Sequence, residues 1–206
     1  MEMEQAQSMR SDIYLLLATL FRQAPSKELL DFLSELEFED NGTPMAQAWS
    51  EIVHASKNAN VEQLEDEYQE LFIGIGRGEV VPFASWHLTG SLMEKPLAEI
   101  RTHLSQLGLE RSENVKEPED HISALCETMA YLCEQPDSVQ QSFFNRHLAP
   151  WYERLAVQIT EAQHTRYYHA VAKLMRAFLS LENVSFTEAK VSKRNTHKIE
   201  VKNLTE

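Results

Sequence analysis

Three places in the chain carry residues whose types and spacing suggest chemistry. The first is Gly74-Ile75-Gly76-Arg77-Gly78, three of the six glycines beside an arginine, the composition of a loop that wraps a phosphate. The second is Glu117-Pro118-Glu119-Asp120-His121, where Asp120 and His121 could offer a ligand an acceptor next to a titratable donor. The third is Glu-x-x-His, found at Glu51/His54 and again at Glu161/His164. That spacing holds a dinuclear metal centre in helical bundles when both pairs point inward and glutamates on two other helices complete the set.

Phosphate loops run from a strand into a helix N-terminus, where free N–H groups face the anion. Here a helical pattern over Glu62 to Phe72 comes first, so Gly74 falls just past a helix C-terminus, where a left-handed cap favours glycine. Carbonyl dipoles at that end repel phosphate, and Glu62, Glu65, Asp66, Glu67 and Glu70 add to the repulsion. Gly74-x-Gly76-x-Gly78 is also not G-x-G-x-x-G, and no Gly-Lys-Ser/Thr follows. The metal reading fails on phase. At about 100° per residue, Glu51 and His54 fall opposite the face of Met45, Trp49, Ile52, Val53 and Ser56, and Glu161 and His164 fall opposite Trp151, Leu155, Ile159 and Ala162. No His-Glu-x-x-His, Cys-x-x-Cys or Gly-x-Ser-x-Gly occurs. The chain reads as non-catalytic, with no metal or cofactor of its own.

Two readings of the remaining stretches stay open on composition. Val81, Phe83 and Trp86 either pin the loop to the core or wall a groove for another protein. Either Glu119 and Asp120 serve as first-turn carboxylates of a helix that opens at Pro118, or Asp120 and His121 together meet a ligand.

Apolar residues at helical spacing position these stretches. The stripes are Ile13–Leu20, Leu29–Leu36, Met45–Ser56, Leu64–Phe72, Leu97–Leu107, Ile122–Leu132, Trp151–Ala162 and Val171–Leu179, each near a period of 3.6. No segment alternates as a strand. Pro25-Ser26, Asn41-Gly42-Thr43-Pro44 and Asn58-Ala59-Asn60 mark junctions, and Pro150 suits the first turn of a following helix. The fold class is all-α, one domain of eight to ten helices over residues 1–182. An N-terminal half (1–107) meets a C-terminal half (118–182) through a polar connection (108–117). Residues 183–206 lose apolar periodicity and read as a flexible polar tail.

A chain of 206 residues with 43% hydrophobic and 25% charged residues is ordinary for a globular protein, but its charge is not. Five Lys/Arg and three Asp/Glu fall in 183–206 (+2), leaving 14 and 29 in residues 1–182, a net −15. Such a surface repels nucleic acid and anionic membrane and steers cationic partners inward. The acidic start MEMEQAQSMRSD has no basic region ahead of an apolar one, which reads as neither secretory signal nor membrane span, and implies the cytoplasm. Cys126 and Cys133 lie two helical turns apart, roughly 10 Å, too far for a disulfide.

Glu67-Tyr68-x-x-Leu71-Phe72-x-Gly74, then Pro82-Phe83-x-Ser85, then Glu117-Pro118-x-Asp120-His121-Ile122 resembles the TorD/DmsD family of cytoplasmic, molybdoenzyme-specific chaperones. The likeness covers roughly residues 10–182. It implies an all-helical protein that binds the twin-arginine leader of one molybdoenzyme precursor, assists cofactor insertion and prevents premature export. It implies leader contacts at Gly74, Pro82, Phe83, Ser85, Trp86, Asp120 and His121, framed by Glu117 and Pro118 and supported by Glu67, Tyr68, Leu71 and Phe72. A homodimer formed by exchange of the C-terminal half is a family-type possibility. The physical reading agrees. A leader is two guanidinium groups followed by an apolar stretch, and an acidic surface beside an apolar loop complements both parts.

Overall fold

A computed structural model describes residues 2–74 and 78–192, with side chains for 9–74 and 78–187. Ile75, Gly76, Arg77 and the 193–206 part of the expected tail lie outside the described residues. Ten α-helices occur among the described residues: α1 Glu2–Arg22, α2 Lys27–Ser34, α3 Pro44–Lys57, α4 Val61–Tyr68, α5 Ala84–Thr89, α6 Lys95–Gln106, α7 Ile122–Leu132, α8 Asp137–His147, α9 Tyr152–Glu161 and α10 Tyr167–Ser192. A π-helical turn, Gln69–Ile73, follows α4 directly. No strand is present among them, only one isolated bridge between Phe83 and His121.

The punctuation residues act as caps. Ser26, Thr43 and Asn60 accept from the backbone N–H groups of Leu29, Ala46 and Gln63, the N-cap bond that satisfies one free donor of a helix start. The interior is one contiguous cluster running from Tyr14 and Phe21 through Leu71 and Trp151 to Tyr168 and Phe186. α1 packs on α7 and α10, while α10 packs on α3 and α9, so the stretches either side of the 108–117 connection share that core. Cys126 and Cys133 are free, buried thiols. Burial pushes the Cys133 thiol up to about 11.

Three expectations change. α5 forms where a loop was expected, closed by Gly90 at φ 82°. α10 continues through 183–192, so the helix does not stop at 182. Phe186 is buried and packs on Phe144 at 5.2 Å between ring centroids. The intervening Glu182 is buried because Arg10 donates to both of its oxygens (2.8 and 2.7 Å) and the Tyr14 hydroxyl donates as well. Pro150 lies in the turn before α9, whose N-cap is Trp151, rather than in that helix's first turn.

Candidate functional site

The loop after α4 and the approach to α7 meet edge to edge. Ile122 N–H donates to the Pro82 carbonyl and Ala84 N–H to the Asp120 carbonyl, both at 2.9 Å, a two-bond antiparallel bridge centred on Phe83 and His121. Their rings stack edge to face with centroids 4.9 Å apart. Asp120 is 1% exposed, and its Oδ2 accepts from Ser85 N–H at 3.0 Å. This carboxylate therefore caps α5 across 35 residues of sequence. Ser85 and Pro82 are buried, while Phe83 and Trp86 are half-buried.

The helix beyond the bridge opens at Ile122, not at Pro118. Pro118 sits in a turn, its carbonyl accepting from His121 N–H at 3.1 Å, so Glu119 and Asp120 precede the helix instead of lining its first turn. His121 is the N-cap, its ring Nδ1 accepting from Ser123 N–H at 3.1 Å. Burial first, and then the Arg22 charge, lower its pKa to about 4. The imidazole is neutral at pH 7, with its proton assigned to Nε2 by the Nδ1 bond. It is not the titrating donor that its position beside Asp120 suggested.

The glycine loop is held on its far side. Gly74 ends the π turn with its N–H on the Gln69 carbonyl at 2.7 Å. Its φ of 59° is positive as expected, but ψ is 176°, an extended mirror conformation that glycine alone adopts easily. Gly78 is needed for space, because a Cβ there would sit 2.3 Å from the Leu71 carbonyl oxygen. Gln158 then clamps the strap, accepting from Val81 N–H (3.1 Å) and donating to the Glu79 carbonyl (3.3 Å). Val81 is buried and pins the loop. The supporting residues are structural too. Glu67 accepts from three backbone N–H groups at the start of α10. The Tyr68 hydroxyl donates toward the carbonyls ending α1. Leu71 is wholly buried, and Phe72 packs edge-on against Phe21 and Tyr168.

Beside the bridge lies a cleft of about 290 Å³ between the end of α6, the 109–119 connection and α7, with His121 and Glu117 in its wall. Glu110, Glu119 and Glu127 add three more carboxylates, and Leu104, Leu109, Val115 and Tyr131 supply apolar surface. Two of the acids are already matched. Arg101 donates to Glu119 at 2.9 Å, with Arg111 3.6 Å away, and Arg22 pairs with Glu127. The cleft thus holds guanidinium groups in place on carboxylates, next to apolar surface.

Of the site residues expected from sequence, Glu117 and His121 line this cleft. Pro82, Phe83, Ser85, Pro118 and Asp120 build the bridge and turn behind it, and Gly74 lies at the π turn. Sequence reasoning missed Glu119, Glu127 and Tyr131 as cleft residues. The available signal was the outer stripe Ala124-Glu127-Thr128-Tyr131 on a helix otherwise dominated by buried residues. The Glu-x-x-His pairs face outward. Glu51 pairs with Lys173 and His54 is exposed, while Glu161 is exposed and His164 bonds to Glu79. Among the described residues no group of three or more His, Cys, Asp or Glu is placed to hold a metal ion, and no helix is long and apolar enough to cross a membrane.

The model of the nitrate reductase delta subunit family matches residues 38–157. Curated relatives include the chaperone protein TorD of Vibrio cholerae, 26% identical over 194 residues, covering 82% of this chain and 88% of the relative. TorD of Vibrio parahaemolyticus is 23% identical over 199 residues, covering 84% and 93%. The fold is similar to a crystal structure described as a redox enzyme maturation protein from Archaeoglobus fulgidus. Its TM-score is 0.56 and its identity 24%, over 85% of this chain and 94% of that one.

Proposed function

This chain belongs to the nitrate reductase delta subunit family, with TorD chaperones among its relatives, and from that membership we propose how it serves as a maturation chaperone. The family places it with non-enzymatic chaperones that act on a redox-enzyme partner. The client proposed here is a molybdoenzyme precursor in the cytoplasm, and the handle is that precursor's twin-arginine leader. The observation that carries this reading is the Phe83–His121 bridge, which brings two separate motifs together beside a cleft rich in carboxylates.

The cleft's own pairs suggest the mode of entry. A leader guanidinium would take the place of Arg22 on Glu127, or of Arg101 and Arg111 on Glu119, exchanging one bidentate-capable contact for another. Such an exchange is nearly even in energy, and exposed pairs contribute under about 1 kcal/mol each. Net affinity then comes from the leader's apolar stretch against Leu104, Leu109, Val115 and Tyr131. Charge sets on-rate and register. His121, neutral and buried, holds the wall in shape.

Calorimetry with a synthetic twin-arginine leader tests this. Tyr131→Ser, at a half-exposed position, should weaken binding about tenfold, and Glu127→Lys less. Unchanged affinity in both variants would remove the cleft from leader recognition.

A further inference from the structure

A second groove, sharing no lining residue with the cleft, runs between α1, the segment after α2, and α3. Its volume is about 620 Å³, inside the range of roughly 300–1,000 Å³ typical of built ligand clefts. Its floor is three short apolar stripes. Met9, Ile13 and Leu16 project from α1; Phe32 and Leu36 come from the end of α2 and beyond; Met45 and Trp49 come from α3. The α1 and α3 stripes carry i,i+3 or i,i+4 helical spacing, the surface that receives another helix ridge-into-groove, and Phe32 and Leu36 flank the end of α2 between them. Met9 is 61% and Phe32 59% exposed, unusual for large apolar residues with neighbours of the same kind.

The rim decides what fits. Asp12, Glu37 and Glu39 border the groove, and among the described residues no Lys, Arg or His lines it. A second copy of this chain would set the same acids against each other, and like charges across an interface oppose association. An anionic bilayer is repelled for the same reason. The complement is an amphipathic helix with an apolar face flanked by Lys or Arg. We propose that the α1–α3 groove is a second polypeptide-docking site, separate from the leader cleft, that takes a basic, amphipathic helix of a partner protein.

The probe is a fluorescein-labelled 18-residue helical peptide with leucines on one face and lysines along its borders, read by anisotropy against the full chain. A Leu/Glu peptide of the same pattern is the control. The expected result is one-to-one binding of the Leu/Lys peptide, weakened at least tenfold by Met9→Ser/Phe32→Ser and by Glu37→Lys/Glu39→Lys. All four positions are exposed, so these proteins should keep the parent's melting curve. Glu127→Lys/Tyr131→Ser, in the other cleft, should stay within twofold of the parent, so failure here and failure of the leader site are told apart. The proposal is overturned if groove variants bind unchanged, or if the Leu/Glu peptide binds as well. It is equally overturned if sedimentation shows a dimer that Met9→Ser/Phe32→Ser dissolves, or if anionic vesicles occupy the groove in competition.

Discussion

Glu67 gives the sharpest quantitative test, because one side chain holds the start of the longest helix. Its Oε1 accepts from Arg166 N–H at 2.7 Å and Tyr168 N–H at 2.9 Å, and its Oε2 accepts from Tyr167 N–H at 3.1 Å. A helix leaves four N–H groups free at its N-terminus, so one carboxylate satisfies most of them and places a negative charge against the dipole. The Tyr167 and Tyr168 bonds are buried, out of easy reach of water. Glu67→Ala strands those two donors, and each buried unsatisfied group costs about 1–3 kcal/mol. With some relaxation the total is about 3–5 kcal/mol, a large share of the roughly 5–15 kcal/mol that holds a domain together. Glu67→Gln keeps one carbonyl acceptor, for Arg166 and Tyr168 N–H, but sets an NH2 donor against Tyr167 N–H and loses the charge, a cost of about 1–3 kcal/mol. Urea unfolding at 25 °C reads both from the midpoint at constant slope. A Glu67→Ala loss under about 1 kcal/mol, or a Glu67→Gln loss equal to it, would refute the capping account. Leader affinity of the folded Glu67→Gln protein should match the parent, since this carboxylate is committed to α10.

Gly78→Ala should destabilise by about 1–3 kcal/mol, because the added carbon would meet the Leu71 carbonyl at 2.3 Å; a neutral result in the same urea assay contradicts that close approach. His121 titrates near 4 when folded, against 6.5 when unfolded, so its contribution is present above pH 6.5 and lost as pH falls toward 4. Between pH 7.5 and 5 this amounts to about 2 kcal/mol, seen as a shallower pH dependence of stability in His121→Asn; identical slopes would reject it. Leader affinity in the parent should stay flat from pH 6 to 8 as far as His121 is concerned. Phe83→Ala, which removes the ring against His121, should weaken leader binding more than reversing Glu110, by calorimetry; equal losses count against the bridge as the organiser of the cleft.

Local signals were legible and distant ones were not. Ser26, Thr43 and Asn60 cap helices from three residues away, and the punctuation of the sequence announces them. α5 has no such local cap, because its acceptor is Asp120, and a six-residue stretch without one reads as loop. The inner face of α8 includes Gln140 and His147, buried because Gln140 donates to the Gln135 carbonyl and His147 bonds His103 at 2.9 Å. Counting apolar residues does not see that face. The same blindness ended α10 too early: Met175, Phe178, Leu179, Glu182 and Phe186 form one stripe whose fourth member is a glutamate neutralised by Arg10 on another helix. At the site, the meeting of residues 82–85 with 118–122 came from the family pattern alone. Of the acids that line the cleft, Glu110, Glu117 and Glu119 come from the polar connection and Glu127 from α7's outer face, where Glu and Thr look like ordinary solvated residues.

The central claim is that the cleft beside the Phe83–His121 bridge receives the twin-arginine leader. Titrating isotopically labelled protein with that leader peptide and mapping the amide shifts addresses it most directly. The account predicts that the largest changes fall on residues 104–131 and Arg22, and that they vanish when both leader arginines are replaced. Shifts confined to the α1–α3 groove, or indifferent to the arginines, would contradict it.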